Sequence, residues 1–429
     1  MVRRDLKPST LIFDGVEYPD GNACTPERLG FMQGAPPPTA QRVRFEDDRF
    51  LEHPQNRWAL SHIRELVPTV AVWRGTGAPG DLGTMPHDAE AAIDALVFND
   101  LDGGSHTWPE SLARTYTDGI LILHRGVRIY ERYFGALEPH RPHLCFSITK
   151  SFAATLAATL LYEGVLDAER AIPYYLPETT GTAYETATLR QVLDMQVGIA
   201  GGEVYSDPRA LIWDYFRAGG FRPRPIGYRG ADNYYEYLLT LRQEGDHGEA
   251  FAYKTVNTEL LCWVLKRVTG VDLAQLLSER IWSRIGCDED GYLAVDSIGV
   301  PMGGAGLSAT LRDLARFGEL MRCDGAWHGS QLIPEAVVAD IRHGADPARF
   351  ARAGYSLLRG YSYRNMWWVA HDDLGVFEGR GIHGQRLYVA PGAEYVVARF
   401  ASHPIASSAA NDPITLPAFR AIGRLLSAR

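Results

Sequence analysis

The sequence predicts an α/β protein of the α+β kind, with an antiparallel sheet flanked by helices and an inserted, mostly helical lobe. Three observations lead to this prediction. Strand-like runs lie near residues 118–134 and 386–400, the chain between them is mostly helical in pattern, and one more helix closes the chain. The two ends of the chain can therefore share one sheet. A cleft is expected between that sheet and the lobe.

The strands of the sheet are predicted as two hairpins. The first joins residues 120–123 to residues 127–134 through a turn at Gly126, and the second joins residues 386–389 to residues 395–400. Both pairs of runs are apolar and rich in β-branched or aromatic residues, which favours strands.

Apolar periodicity and capping residues predict the helices. The longest covers residues 147–166 and is apolar nearly all round, which indicates a buried helix. The others are predicted over residues 188–195 with Thr188 as N-cap, 257–268, 308–321 with Ser308 or Thr310 as N-cap, and about 417–426.

The domain organisation follows from composition. Residues 1–115 are rich in Pro, Gly and Asp and are interpreted as an irregular N-terminal extension packed on the core. Residues 116–429 form the main domain, with the helical lobe over about 165–310. Within the lobe, residues 200–250 are rich in glycine and aromatic residues and are interpreted as a flap.

Length, composition and charge exclude several classes of protein. The 429 residues, 46% of them hydrophobic and 22% charged, can build a large core and are not disordered throughout. The net charge of −9 argues against a basic nucleic-acid-binding protein. The longest near-apolar stretch, residues 152–162, is shorter than the roughly 18–20 residues of a membrane-spanning helix. No apolar segment follows the charged N-terminus, so we expect a cytoplasmic protein without nucleic-acid or membrane partners.

The numbers of cysteines and lysines limit which metal sites and catalytic bases we expect in this protein. Five cysteines without CxxC spacing are typical of reduced thiols, and we expect neither a metal nor a cofactor. The 43 basic residues include only four lysines. In a chain that otherwise uses arginine, a lysine is a candidate base, because a buried ammonium can lose its proton and a guanidinium cannot.

The main chemical motif is Ser147-Ile148-Thr149-Lys150, at the start of the longest predicted helix. Positions three apart share one helix face, so the hydroxyl of Ser147 would lie beside the amine of Lys150. An apolar setting lowers the pKa of a lysine, which can then take the proton from a serine. A Ser-x-x-Lys run also arises by chance, so the residues alone leave a catalytic pair and a coincidence equally open.

A series of further motifs accompanies this one. They are residues 146–152, 163–167, 188–195, 251–255, 257–261, 306–315 and 381–385. Together they resemble the penicillin-recognising serine hydrolases, the superfamily of class C β-lactamases, D-alanyl-D-alanine peptidases and related esterases. The resemblance covers roughly residues 115–428 and is closest to the 6-aminohexanoate-dimer hydrolase (nylon-oligomer hydrolase) branch. It implies a β-lactamase/transpeptidase-like fold.

The resemblance implies roles for three residues. Ser147 would be the acylated nucleophile, Lys150 its activating base, and Tyr253 a second acid/base that protonates the leaving group and later activates water. Lys150 and Tyr253 would each lower the pKa of the other. Without the resemblance, Tyr253 would be interpreted as a core residue.

The resemblance also indicates binding residues. Ile382-His383-Gly384 stands where β-lactamases carry Lys-Thr-Gly, so the cation that binds a β-lactam carboxylate is missing or replaced by His383. Gly384 would let the strand approach the substrate, and the backbone amides of Ser147 and Gln385, or of Arg386 instead, would form the oxyanion hole. The other candidate contacts are Thr255, which stands where many relatives have an amide side chain, and the flap residues Tyr205, Trp213 and Asp214.

Two other motifs are given plain interpretations. The run Gly379–Gly384 spells GxGxxG, but a strand-like run follows it where a dinucleotide site needs a helix. The run His371-Asp372-Asp373 lacks further spaced ligands and is interpreted as a solvated turn.

The predicted function is that of a serine hydrolase that cleaves small amides or esters through an acyl-enzyme on Ser147. A 6-aminohexanoate-oligomer hydrolase and a carboxylesterase both fit this description. Two alternatives stay open. One is a D-alanyl-D-alanine peptidase or weak β-lactamase, which the missing cation disfavours. The other is a catalytically silent binding scaffold, which would not need Ser147, Lys150 and Tyr253 together. A monomer and a homodimer are both compatible with the sequence.

Overall fold

The computed structural model describes residues 10–13, 15–83 and 87–427. Its largest element is a seven-stranded antiparallel sheet, and the predicted fold class is confirmed. In spatial order the strands are Ser362–Arg364, Trp367–Val369, Phe377–Gly381, Gln385–Ala390, Tyr395–Ala401, Thr117–His124 and Val127–Tyr133.

Both predicted hairpins are confirmed, and they meet in the sheet. Strand Tyr395–Ala401 pairs with its hairpin partner Gln385–Ala390 on one side and with Thr117–His124 on the other. The shared register places Val397 opposite Ile122. The two ends of the chain therefore build one sheet, as expected.

The central helix, Ile148–Tyr162, is the buried helix that the sequence predicts. Residues from Ile148 to Leu160 are all buried. Phe152 stacks on Phe317 of helix Leu311–Arg322, with ring centroids 3.8 Å apart. The helix ends before the predicted residue 166, because Gly164 takes a left-handed φ of 73° and turns the chain away.

The other predicted helices are confirmed with changes at their ends. Thr188 caps Leu189–Leu193 through a capping box with Gln191. Thr310 caps Leu311–Arg322, whereas Ser308 lies in strand Leu307–Ala309. The remaining predicted helices are Val256–Thr269 and Asp412–Ser427.

The closing helix begins five residues before its predicted start. Proline favours the first turn of a helix, and for that reason the sequence places the start near Pro417. The structure instead begins the helix at Asp412 and keeps Pro417 inside it.

Shorter elements complete the fold. A second sheet has four strands, in the order Thr69–Val72, Gly291–Ala294, Leu307–Ala309 and His143–Leu144. Three further sheets have two strands each: Thr10–Phe13 with Val16–Pro19, Val97–Asn99 with Ser105–Thr107, and Ala326–Trp327 with Ser330–Gln331. The further α-helices are Pro26–Leu29, Asn56–Ala59, His87–Asp94, Trp108–Arg114, Leu211–Ala218, Tyr234–Thr240, Leu273–Leu277, Glu335–His343 and Pro347–Ala351. In the described part of the chain, no helix has the length and apolar character needed to cross a membrane.

The first 115 residues and the predicted flap contain regular elements. Strand Thr69–Val72 pairs with Gly291–Ala294, so the N-terminal segment is joined to the rest by a β-ladder. Helices Leu211–Ala218 and Tyr234–Thr240 lie within the predicted flap. The division of the chain at residue 115 stays a prediction.

Candidate active site

Ser147 and Lys150 lie side by side at the start of the central helix. Lys150 Nζ donates to Ser147 Oγ over 2.8 Å and to the carbonyl oxygen of Gly304 over 2.6 Å. Both side chains are enclosed, since Ser147 is 7% exposed and Lys150 is 0% exposed. Burial lowers the pKa of Lys150 to about 8, against the opposing charges of Glu203 and Glu259. A lysine with this pKa can become neutral near physiological pH and accept a proton from serine.

The backbone immediately before Ser147 is strained. Phe146 has a φ of 46°, a region that bulky side chains rarely adopt. The carbonyl of Phe146 accepts the Thr149 hydroxyl over 2.7 Å, and the preceding Cys145 N–H donates to Leu307 O over 2.8 Å. These bonds hold the sharp turn from strand His143–Leu144 into the central helix. Strain of this kind, kept in place by its neighbours, is common at functional sites.

Tyr253 completes the group. Lys150 Nζ lies 5.1 Å from the centroid of the Tyr253 ring. Burial raises the pKa of Tyr253 well above its usual value, and a hydrogen bond with Ser147 opposes that rise. The expectation that Lys150 and Tyr253 lower each other's pKa is therefore wrong for the tyrosine, because loss of solvent disfavours the phenolate more than its neighbours stabilise it.

Two glutamates beside Lys150 were not singled out from the sequence. Glu203 accepts the Thr255 hydroxyl over 2.9 Å and also the Thr255 backbone N–H. Glu259, on helix Val256–Thr269, accepts backbone N–H groups of the Gly303-Gly304 run. Burial raises the pKa of both carboxyls, that of Glu259 to about 7. A lone carboxylate within a buried helix was the available signal for Glu259, whereas Glu203 follows two glycines in a loop and has no such signal.

The turn around Gln385 lies next to the nucleophile. A Cβ on Gly381 would lie 2.6 Å from the carbonyl oxygen of Cys145, so this strand end approaches the backbone two residues before Ser147 closely. The Gln385 side chain is fully engaged within the protein: it donates to Ala401 O over 2.6 Å and accepts from Ala401 N over 3.0 Å. Within Gln385, only the backbone N–H is therefore a candidate for the oxyanion hole, and the backbone N–H of Arg386 stays the alternative to it.

Three neighbours of Gln385 each have a structural role that does not depend on a substrate. Gly384 has a φ of 96°, so the turn itself requires a glycine there, whatever lies in the cleft. Arg386 is buried, and its side chain forms ion pairs with Glu378 and Asp412. The His383 Nδ1–H donates to the His403 carbonyl over 2.7 Å, and burial lowers the pKa of His383 to about 4. His383 is therefore neutral at physiological pH and does not replace the missing cation.

Comparison with known proteins places the chain in a family. The sequence pattern of the family described as Beta-lactamase matches residues 110–416. The chain belongs to the β-lactamase family. It is 34% identical, over 360 residues, to a 6-aminohexanoate-dimer hydrolase of Paenarthrobacter ureafaciens, a match that covers 83% of this chain and 88% of the relative. The predicted resemblance is thereby confirmed.

Solved structures of the β-lactamase fold agree. A provisionally named 6-aminohexanoate-dimer hydrolase from Bacillus anthracis superposes with a TM-score of 0.79 at 29% identity, over 90% of this chain and 97% of that one. A family VIII carboxylesterase superposes with a TM-score of 0.55 at 16% identity, over 81% of this chain and 99% of the other, and shows the fold alone. The protein is thus a β-lactamase-fold hydrolase related to 6-aminohexanoate-dimer hydrolases.

Two of the predicted binding residues lie near the Ser-Lys pair of this β-lactamase-family protein. Thr255 is bonded to Glu203, whose charge acts on Lys150. The Tyr205 hydroxyl hydrogen-bonds to Thr255, and burial raises its pKa well above the usual value, as do the charge of Glu203 and the nearby Tyr253. Thr255 and Tyr205 therefore remain candidates for substrate contact.

The other two flap residues are engaged elsewhere. Trp213 Nε1 donates to Asp207 O over 2.8 Å, and the Arg222 guanidinium lies 4.8 Å from the Trp213 ring centroid. Asp214 is 63% exposed at its side chain and pairs with Arg217 over 3.3 Å. Trp213 thus holds the flap together internally, and Asp214 faces solvent.

The plain interpretations of the two remaining motifs are confirmed. A second strand, Gln385–Ala390, follows the GxGxxG run. In the His-Asp-Asp run, His371 Nε2 lies 2.7 Å from Ser362 Oγ, and Asp373 pairs with Arg420 over 2.6 Å. Among residues 10–13, 15–83 and 87–427, no three or more His, Cys, Asp or Glu side chains are grouped to hold a metal ion.

Proposed function

We propose that the protein is a serine hydrolase that cleaves small amides or esters through an acyl-enzyme on Ser147. The observation that carries this proposal is the 2.8 Å bond between Lys150 Nζ and Ser147 Oγ, together with the complete burial of the lysine. A lysine in this setting would otherwise be an unexplained buried charge.

Acylation would begin with neutral Lys150. As Ser147 Oγ attacks the substrate carbonyl carbon, its proton passes to Lys150 Nζ. The negative charge that develops on the carbonyl oxygen is stabilised by the backbone N–H groups of Ser147 and Gln385. The leaving nitrogen or oxygen takes a proton from the Tyr253 hydroxyl. The raised pKa of Tyr253 suits this step, because the phenol is still protonated at neutral pH.

Deacylation would run through the same groups in reverse. Tyr253 takes a proton from a water molecule, whose oxygen attacks the acyl carbon. The bond from that carbon to Ser147 Oγ breaks, and Lys150 returns a proton to the serine. The product acid then leaves and the starting protonation states are restored.

The surroundings of Tyr253 favour an apolar substrate chain. Aromatic rings contact one another around it, namely Phe251, Phe350, Tyr355, Tyr363 and Trp368. Such a wall suits a hydrocarbon segment of an amide or ester. Neutral His383 provides no charge for the carboxylate of a β-lactam or a D-alanyl peptide, which disfavours those substrates. The names of the relatives make linear ω-amino amides the first substrates to test.

Labelling with a fluorophosphonate probe tests the proposal. Intact-mass spectrometry and peptide mapping should find a single adduct on Ser147 in the wild type and none in Ser147→Ala. Both proteins are then assayed with 6-aminohexanoate dimer and with p-nitrophenyl acetate. Folded wild type that forms no adduct and turns over both substrates at the rate of Ser147→Ala would contradict the proposal and favour a silent scaffold.

We also propose a cytoplasmic location. All five cysteines are unpaired thiols, and four of them are buried. Unpaired thiols are typical of a reducing compartment. Fractionation of the source cells tests this, and recovery of the protein outside the cytoplasm would contradict it.

A further inference from the structure

Glu259 is surrounded by hydrogen-bond donors in the core. Its two carboxylate oxygens accept Gly303 N–H over 3.1 Å and Gly304 N–H over 2.6 Å, and the Tyr215 hydroxyl donates to it as well. The glutamate is 2% exposed and Tyr215 is 0% exposed. Three donors directed at one carboxyl group favour its ionised form, because a carboxylate is an acceptor only, and they oppose the rise in the pKa of Glu259 that burial causes.

The same backbone contacts the base of the proposed reaction. The carbonyl oxygen of Gly304 accepts the Lys150 amine over 2.6 Å, while the N–H of Gly304 is bonded to Glu259. A Cβ at position 304 would lie 2.5 Å from Thr255 Cγ2 and 2.9 Å from the Tyr215 hydroxyl oxygen. Only glycine fits, so the backbone can lie directly between the acid and the amine.

We propose that Glu259 is a positioning residue, which holds the Gly303-Gly304 backbone so that the Gly304 carbonyl fixes the Lys150 amine beside Ser147. This inference rests on the proposed function. Lys150 has two bonds to geometrically fixed oxygens, Ser147 Oγ and Gly304 O. Ser147 Oγ belongs to the proposed nucleophile. Gly304 O is held in place because Glu259 accepts hydrogen bonds from the Gly303-Gly304 backbone. A shift in the Gly304 carbonyl would therefore move the amine out of line with the serine.

Glu259 also acts on Lys150 through its charge. The charge of Glu259 raises the pKa of Lys150, in opposition to the larger effect of burial. Removing this charge should let the pKa of Lys150 fall further, so that the base becomes neutral at lower pH. Several charged and titratable groups from the packed elements face Glu259 or Lys150. They are Glu203 from the flap, Tyr253, Cys262 on the helix of Glu259, Tyr184, and Tyr215, Tyr234 and Tyr235 from the two flap helices.

The test is the rate at which a fluorophosphonate acylates Ser147, measured from mildly acidic to alkaline pH. In Glu259→Gln, an amide N–H faces a backbone N–H, so the backbone shifts. We expect the plateau rate to fall by about 10-fold or more, and the acidic limb of the profile to move to lower pH. Loss of stability alone would not move that limb.

Glu131→Gln is the matched control. Glu131, a half-buried residue on strand Val127–Tyr133 whose side chain is 8% exposed, accepts from Arg312 Nε over 2.7 Å. Three strands separate it in the sheet from strand Phe377–Gly381, which lies beside the site. This variant should unfold at a lower temperature and keep both the plateau and the limb of the wild type.

A second variant covers the case in which Glu259→Gln does not fold. Tyr215→Phe removes one donor and leaves both backbone bonds, and the limb should move in the same direction by a smaller amount. A wild-type plateau and limb in folded Glu259→Gln would overturn the inference, as would an unmoved limb in Tyr215→Phe if the first variant does not fold. A folded wild-type protein that is not acylated and that turns over both substrates at the rate of Ser147→Ala would overturn the proposed function itself, and with it this inference.

Discussion

The indole of Trp368 stacks on the ring of Tyr253, with centroids 5.6 Å apart and planes inclined by 29°. Trp368 lies on strand Trp367–Val369 of the main sheet and is 6% exposed. Tyr363, on the neighbouring strand Ser362–Arg364, also contacts the Tyr253 ring, with centroids 6.1 Å apart. The sheet therefore helps to set the position of the proposed acid/base through aromatic contacts.

Replacement of this indole should disturb catalysis more than binding. Trp368→Leu should lower kcat by roughly 10-fold, because Tyr253 loses the surface that orients its hydroxyl. Steady-state kinetics with p-nitrophenyl acetate measure this effect. Trp73→Leu is the control, since Trp73 is 54% exposed and far from these rings in the sequence. An unchanged kcat in Trp368→Leu would show that Tyr253 is oriented by other contacts.

Lys150 should tolerate no replacement. Lys150→Ala removes the proton acceptor, and Lys150→Arg keeps a cation that does not deprotonate in proteins. Both variants should lose acylation of Ser147 by a fluorophosphonate. Lys266→Arg, an exposed position on helix Val256–Thr269, should acylate at the wild-type rate. Near-wild-type acylation in Lys150→Arg would exclude Lys150 as the base.

Tyr253→Phe should lower kcat by about 10²-fold or more, as expected when a general acid/base is lost. The ring and its stacking on Trp368 are kept in this variant, so the change reports on the hydroxyl alone. Turnover of an amide should suffer more than turnover of p-nitrophenyl acetate, because an amine leaving group needs the proton. Equal, small losses on both substrates would exclude Tyr253 as the proton donor.

The acylation rate should rise with pH through about 8 and then level off. The pKa of Lys150 is lowered to about 8, so the amine is mostly charged below that pH and mostly neutral above it. Only the neutral amine accepts the Ser147 proton. Stopped-flow labelling across this range provides the profile. If the acylation rate instead rises around pH 10.4, which is about the ordinary pKa of lysine, then burial does not lower the pKa of Lys150.

The buried ion pairs that Arg380 and Arg386 form with Glu378 and Asp412 should contribute strongly to the free energy of unfolding. Arg386 donates to Glu378 over 3.1 Å and to Asp412 over 2.6 Å, and Arg380 also bonds to both carboxylates. Glu378→Ala leaves two buried guanidinium groups with one partner fewer, so the free energy of unfolding should fall by about 3–5 kcal/mol.

Urea denaturation measures that loss. The exposed Glu335 at the start of helix Glu335–His343 provides the comparison, because Glu335→Ala should change the free energy of unfolding by less than about 1 kcal/mol. A similarly small loss in Glu378→Ala would show that water or other groups satisfy the two arginines.

Local sequence patterns predict the framework of this protein well. Alternating and apolar runs determine the hairpins, and the all-round apolar run determines the central helix, because these signals reflect which faces lose contact with water. Thr188 marks a helix start in the same direct way. The pair Ser147 and Lys150 is close in sequence, so helix geometry alone brings the two side chains together.

The rest of the site depends on contacts between distant parts of the chain. Glu259 gains its position from Gly303 and Gly304, more than forty residues later in the sequence. Trp213 forms a hydrogen bond within the flap, to Asp207 O. A local sequence pattern does not distinguish an aromatic residue that packs within a flap from one that contacts a substrate. The raised pKa of Tyr253 likewise arises from burial by several elements, which no spacing in the sequence reveals.

The pairing of Tyr395–Ala401 with Thr117–His124 has a consequence for synthesis of the protein. A nascent chain that has reached Tyr253 already contains all three proposed catalytic residues, yet five of the seven strands of its main sheet are missing. The central helix also lacks Met366, whose carbonyl accepts the Ser151 hydroxyl over 3.0 Å. Long-range pairing of this kind is slow to form. The chain should therefore have to be synthesised through Ala401 before the reactive serine is in place.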